Sequence, residues 1–260
     1  MVNEFIRYEK RGHLAWVTID RPQVMNALHP PCHDELEAIW NDFAADPELW
    51  VAVLTGAGDR AFSAGNDLKW TAEHAGRLPP MPPGRFGGIV NRFDLTKPII
   101  AAVNGFALGG GFELVLACDV VIAAEHARFG LPEPKVGLMA AAGGAQRLVR
   151  QIPLKLAMGM MLTGEHIDAR RAHELGVVNE VVPATELAAA AARFAERILE
   201  CSPLSVRATK QAALASLDRP LAEAIGVQQY PAVLELFRSE DCREGPLAFA
   251  QKRKPEWKGR

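Results

Sequence analysis

Pro98-Ile99-Ile100-Ala101-Ala102-Val103-Asn104-Gly105-Phe106-Ala107-Leu108-Gly109-Gly110-Gly111-Phe112-Glu113-Leu114-Val115-Leu116-Ala117 runs from an uncharged apolar segment through a glycine turn into a second apolar segment. The first half is short, branched and closed by Asn104-Gly105, the pattern of a strand buried on both faces. The second half reads as a helix from about Gly111 to Ala117. A helix beginning in glycines leaves its first N–H groups without partners and carries the positive end of its dipole there. Glu113 sits among apolar neighbours, where an unpaired carboxylate is costly or raises its pKa. Such an acid is kept for ion pairing or for proton transfer.

The same alternation recurs outward from this stretch. Trp50–Gly56 and Asp119–Ala124 are further short apolar runs, and Val177–Val182 follows a helical stretch from about Asp168 to Leu175. At the start, Phe5–Glu9 and Leu14–Ile19 flank a hairpin at Lys10–His13, and Pro31–Ala45 has helical spacing at Leu36, Ile39, Trp40 and Phe43. Strand–helix alternation of this kind predicts an α/β fold with parallel strands. The proline-rich stretch Leu78–Gly84 lies within Thr71–Val90, a segment without periodicity, which is long enough to suggest a functional loop. After Pro183 only helical patterns remain, so residues 1–184 are expected to form a core and residues 185–260 a C-terminal helical region.

Composition narrows the function. A formal charge of −2 over 260 residues gives no basic surface for nucleic acid. No apolar run is long enough for a membrane span. Four scattered cysteines without metal-ligand spacing suggest reduced thiols, and the polar start lacks signal-peptide character, so the expected location is cytoplasmic. His29 and His33 are four apart, but Pro30-Pro31 argues against a helix that would pair them on a metal, and no metal site is expected.

A second acid, Glu133, follows in Phe129-Gly130-Leu131-Pro132-Glu133-Pro134, again in apolar and glycine-rich surroundings. Ala61-Phe62-Ser63-Ala64-Gly65-Asn66-Asp67-Leu68-Lys69 ends a strand unit in small residues that let a ligand approach the main chain. Together with the triple glycine it can aim two N–H donors at one oxygen. Glycine turns before helices also bind phosphate, but the Gly-Lys-Ser/Thr ending of a phosphate loop is missing.

These three motifs, in this order and spacing and continuing through Gly143-Gly144-Ala145-Gln146-Arg147-Leu148 and Thr163-Gly164, resemble the enoyl-CoA hydratase/isomerase (crotonase) superfamily over nearly the whole chain. The ending, Glu244–Ala250 to Trp257–Arg260, is similar to the carnitinyl-CoA dehydratase branch. The resemblance implies a spiral of ββα units with C-terminal helices that form a homo-trimer or a hexamer. It implies a coenzyme A thioester as substrate and no metal or redox cofactor.

By motif position, the backbone N–H groups of Asn66 and Gly110 would bind the thioester oxygen, and Glu113 and Glu133 would be the catalytic acids. Ala64, Asp67, Leu68, Lys69 and Lys252 would meet the coenzyme. Both acids together imply hydration or dehydration of 2-enoyl and 3-hydroxyacyl thioesters. The alternatives are a double-bond isomerase using one acid, and a non-catalytic acyl-CoA-binding trimer. Ala140 and Ala141 depart from the family pattern, supplying no third carboxylate and altering the wall near the expected water.

Overall fold

A computed structural model describes residues 3–74 and 81–260. An N-terminal hairpin, β1 (Ile6–Arg11) and β2 (Leu14–Ile19), opens the chain, followed by α1 (Pro30–Ala45). Then come β3 (Val51–Gly56), β4 (Ala61–Ser63) and α2 (Leu68–Glu73); β5 (Ile99–Val103), β6 (Phe106–Leu108) and α3 (Gly110–Ala117); and β7 (Val120–Ala124) and β8 (Arg128–Gly130). A 3-10 turn at Glu133–Val136 leads to α4 (Gly144–Gln151), α5 (Leu154–Thr163), β9 (His166–Asp168), α6 (Ala169–Glu174) and β10 (Glu180–Val182). The helices α7 (Leu187–Leu199), α8 (Pro203–Ser216), α9 (Leu221–Ala224), α10 (Pro231–Arg238) and α11 (Asp241–Ala250) complete the chain.

Successive units lay one strand in each of two sheets. The larger has the order β1-β2-β3-β5-β7-β10 and the smaller β4-β6-β8-β9. Among the described residues only the β1–β2 and β8–β9 pairs are antiparallel. The spiral of ββα units is therefore present. Its logic is period-2 alternation within fully buried strands. Ala52 and Leu54, Ile99, Ala101 and Val103, and Val121 and Ala123 face the central core, while Val51, Val53, Ile100, Ala102, Ile122 and Ala124 face α7. Helix α7 presents Leu187, Ala190, Ala191 and Ala195 to that sheet, alanines letting its backbone come close. It thus covers the sheet, although it follows residue 184.

Three local expectations need correction. The strand expected over Val177–Val182 is confined to Glu180–Val182. The N–H groups of Val177 and Val178 both donate to the Ala172 carbonyl, turning the chain back on α6, and pairing with β7 starts only where Asn179 exchanges hydrogen bonds with Val121. Pro30 and Pro31 do not oppose a helix; they open α1, where a missing N–H is harmless. Thr71–Glu73 belongs to α2, and a 3-10 turn spans Phe86–Gly88, so the Thr71–Val90 segment is structured at both ends. Leu78, Pro79 and Pro80 of the proline-rich stretch lie outside the described residues. Among the described residues no helix is long and apolar enough to cross a membrane.

Candidate active site

The site is built where three segments meet at the start of α3. Gly109 precedes the helix with φ 54 and ψ −128, and its carbonyl accepts the Glu113 N–H at 3.0 Å. As the first helical residue, Gly110 has no intrahelical acceptor for its own N–H. Gly65 packs directly against it: φ is +88, and a Cβ there would lie 2.7 Å from the Gly110 nitrogen. Glycine is required at this crossing by both conformation and space. The next residue, Asn66, is bracketed by a bridge to Leu28 in which the Leu28 N–H donates to Gly65 O and the Asp67 N–H donates to Leu28 O, each at 2.8 Å. Alternation along an extended segment turns the Asn66 N–H to the opposite side. These two crossings bring Gly65 against Gly110, with Asn66 next in the chain.

Glu113, one turn into α3, is 3% exposed. Its Oε1 accepts the Gly144 N–H at 2.8 Å, at the N-terminus of α4. Burial, followed by the charge of Glu133, pushes its pKa up to about 7, against the opposing hydrogen bond from Gly144 and the charge of Arg147. Glu133 opens the 3-10 turn after β8 and is half-buried. Burial raises its pKa as well, and its Oε2 is enclosed without a hydrogen-bond partner among the described residues. Its Oε1 lies over Gly109, 3.3 Å from where a Cβ would stand. Neither acid joins an ion pair among the described residues. Two acids that repel each other's charge can hold one proton between them and pass it to a bound molecule.

The other expected residues are placed as follows. Asp67 caps α2, accepting the Trp70 N–H at 3.1 Å, and pairs with Arg21 Nη1 at 3.0 Å, so its carboxylate is committed to the protein. Ala64 lies just before Gly65, and Leu68 and Lys69 are exposed on the first turn of α2. Lys252 is exposed in the turn after α11, with φ 54, and no hydrogen bond joins it to these groups among the described residues. Ala140 is buried and flanks Gly144 together with Glu113, since a Cβ on Gly144 would lie 2.9 Å from both the Ala140 Cβ and Glu113 Oε1; Ala141 faces outward. His29 Nδ1 contacts Cys32 Sγ at 2.9 Å and His33 Nδ1 accepts the Gly87 N–H at 3.0 Å, so each ring has its own protein partner.

Two residues close to the start of α3 or to Glu113 were not singled out from the sequence. Arg147 of α4 donates from Nη2 to the Val90 carbonyl at 2.6 Å, and Phe86 packs its ring tip against Gly110. The motif Gly143–Leu148 could have drawn attention to Arg147, whereas nothing local marks Phe86.

A profile described as Enoyl-CoA hydratase/isomerase matches residues 9–260. A carnitinyl-CoA dehydratase of Salmonella arizonae is 42% identical, covering 99% of this chain and 100% of its own. The carnitinyl-CoA dehydratase of Escherichia coli K12 is 41% identical over the full length of both chains. Among solved structures, an enoyl-CoA hydratase from Mycobacterium tuberculosis H37Rv superposes with a TM-score of 0.91 at 39% identity, covering 98% of this chain and 99% of that one.

Proposed function

This chain belongs to the enoyl-CoA hydratase/isomerase family and is a hydratase/dehydratase-type enzyme, and on that premise we propose that it interconverts 2-enoyl and 3-hydroxyacyl coenzyme A thioesters by adding and removing water. In the hydration direction the thioester oxygen accepts the N–H groups of Asn66 and Gly110. The Glu113 carboxylate takes a proton from water while the water oxygen bonds to C3. The π electrons move onto the thioester oxygen, where the two amides and the α3 dipole stabilise the developing charge. The Glu133 carboxyl then gives its proton to C2. Dehydration runs the same steps backwards, and a proton returns between the acids before the next turnover.

The observation that carries this reading is the Glu133 Oε2, buried without a partner beside a Glu113 that burial brings to about 7. An acceptor left bare in a native interior calls for a function. Asp67, by contrast, is neutralised by Arg21 and is assigned no chemistry. Ala64, the α2 start at Asp67–Lys69 and Lys252 are proposed to line the coenzyme's path. Exposed Leu214, Leu217, Leu221, Ile225 and Phe249 are proposed to meet other copies in a homo-trimer or hexamer, and the cytoplasm is the proposed location.

The test is a panel of enoyl and hydroxyacyl thioesters, short, long, branched and carnitinyl, followed by enoyl absorbance. Hydration of at least one 2-enoyl thioester is expected. Shift of a 3-enoyl double bond without any hydration, or tight binding without turnover, would overturn the assignment. The similarity to carnitinyl-CoA dehydratases favours the carnitinyl member. Trp70, whose ring stacks on His74 with centroids 3.8 Å apart, is the aromatic face proposed for a trimethylammonium group.

A further inference from the structure

Between α1 and α3 lies a tight turn, Phe86–Gly88, held by three side chains from a single face of α1. His33 Nδ1 accepts the Gly87 N–H at 3.0 Å, Trp40 Nε1 donates to the Gly87 carbonyl at 2.9 Å, and Glu37 Oε2 accepts the Gly84 N–H at 2.9 Å. Positions 33, 37 and 40 fall on one stripe of a helix. The backbone they hold is unusual: Arg85, Gly87 and Gly88 all have positive φ, at 58, 60 and 70. Glycine adopts such angles freely, but a side chain at the Arg85 φ persists only when the surroundings over-determine it, and such residues cluster at ligand sites.

The opposite side of the turn rests on α3. A Cβ on Gly87 would lie 2.5 Å from Leu114 Cδ2, and one on Gly110 would overlap the tip of the Phe86 ring. The ring of Phe86 therefore packs against the Cα of Gly110, whose amide is the one proposed to bind the thioester oxygen. Phe86 in turn stands 4.7 Å from the His33 ring, centroid to centroid. His33 is 1% exposed, and burial lowers its pKa to about 4, which keeps the Nδ1 lone pair available to Gly87. Arg147 closes the far end of the segment through Val90.

We propose that Phe86 is a specificity-determining residue whose ring limits the acyl space beside the Gly110 amide, and that His33 is the positioning residue that keeps the ring there. The inference rests on the acyl thioester reading for what occupies the cleft. Deleting the ring opens room next to the amide, and releasing Gly87 lets the ring drift from it. Both changes relax discrimination against longer or branched acyl groups in the same direction.

Saturated acyl-CoA thioesters do not react, so their affinities read the cleft independently of turnover. The experiment measures butyryl-, isovaleryl- and octanoyl-CoA binding to the full chain by calorimetry. In Phe86→Ala the octanoyl-to-butyryl affinity ratio is expected to rise at least about tenfold, the scale on which apolar pockets discriminate. His33→Leu should shift the ratio the same way. His33→Asn, whose Oδ1 can replace the Nδ1 acceptor, should return it toward the parent value, and the Phe86→Ala/His33→Leu double variant should go no further than Phe86→Ala alone.

An unchanged ratio in Phe86→Ala, or equal behaviour of His33→Leu and His33→Asn, would overturn the proposal. So would a fully additive double variant. If His33→Leu does not fold, Trp40→Phe, which removes only the bond to the Gly87 carbonyl, must shift the ratio in the same direction or the positioning role fails. Absent hydration with a shifted ratio would sink the hydratase assignment and leave this one standing. Intact hydration with unshifted ratios would do the reverse.

Discussion

Two buried acidic regions flank the crossing of Gly65 and Gly110, and the protein treats them in opposite ways. At Asp67 the carboxylate meets Arg21 at 3.0 Å and caps a helix, and although burial works against it, these partners hold its pKa below the ordinary value. At Glu113 and Glu133 burial dominates and both pKa values rise. The same residue chemistry is held as charge on one side and pushed toward the neutral form on the other. The difference lies in the supply of partners, because a guanidinium reaches Asp67 while Glu113 has the Gly144 amide and Glu133 Oε2 has no partner among the described residues. Burial alone therefore does not single out a candidate acid; burial without an ion-pair partner does.

The largest expected effect falls on the unpaired side. Glu113→Gln and Glu133→Gln each should lower kcat for hydration by about two to four orders of magnitude, the range of general acid–base catalysis. Each keeps the shape of the side chain, so circular dichroism should stay near the parent's and the melting temperature should not fall below it. Near-parental turnover in either variant would erase the distinction between the two regions.

The paired side should answer in stability. Arg21→Met strands the Asp67 carboxylate in a setting where the two side chains are only 12% and 11% exposed, and is expected to destabilise the fold by about 3 kcal/mol in urea unfolding. The kcat of the folded variant should fall less than about tenfold, a change below that of general acid–base groups. A loss of kcat matching the glutamate variants would show that Arg21 belongs to the chemistry.

Comparable in size is the pH response of Glu113. In the unfolded chain this acid ionises near 4.5, and in the folded chain near about 7. Below the lower value both states are protonated and nothing is lost. Between the two, the unfolded chain releases a proton that the folded chain keeps, so stability falls as pH rises, and the whole penalty from Glu113, about 3 kcal/mol, is present above about 7. Urea unfolding at both ends of this window should show that decline in the parent and its loss in Glu113→Gln. In hydration, kcat/KM should rise with pH across the upper part of the same window, as Glu113 becomes the base. Identical pH dependence of stability in parent and variant would refute the raised acid.

Much of this contrast was legible before the fold was known, though unevenly. Glu113 and Glu133 announced themselves because a carboxylate among Phe112, Leu114 and Val115, or between Pro132 and Pro134, conflicts with its neighbours. Strands β3, β5 and β7 were legible because burial on both faces writes a continuous apolar run. The smaller sheet was not, since β4, β6, β8 and β9 are three residues each, too short for a period to register. The Arg21–Asp67 pair spans 46 positions and the His33–Gly87 bond 54, separations at which local pattern carries no information. The proposed role of the Asn66 and Gly110 amides rests on family resemblance, because backbone direction leaves no mark in side-chain composition.

The smallest effect concerns cations placed where solvent screens them. Lys69 and Lys252 are exposed and form no ion pair among the described residues, unlike the sheltered Arg21. A phosphate on such a lysine is worth roughly 0.2–1 kcal/mol, so Lys69→Ala should weaken acyl-CoA binding by at most about fivefold, and less at high salt. Lys252 permits a cleaner separation of charge from fold. Its φ of 54 is strained for any side chain, so Lys252→Gly removes the charge while easing the backbone. Melting temperature should rise slightly as coenzyme affinity falls, two readouts moving in opposite directions. Affinity that is unchanged at every salt concentration would remove Lys252 from the coenzyme path and leave it as a solvated turn residue.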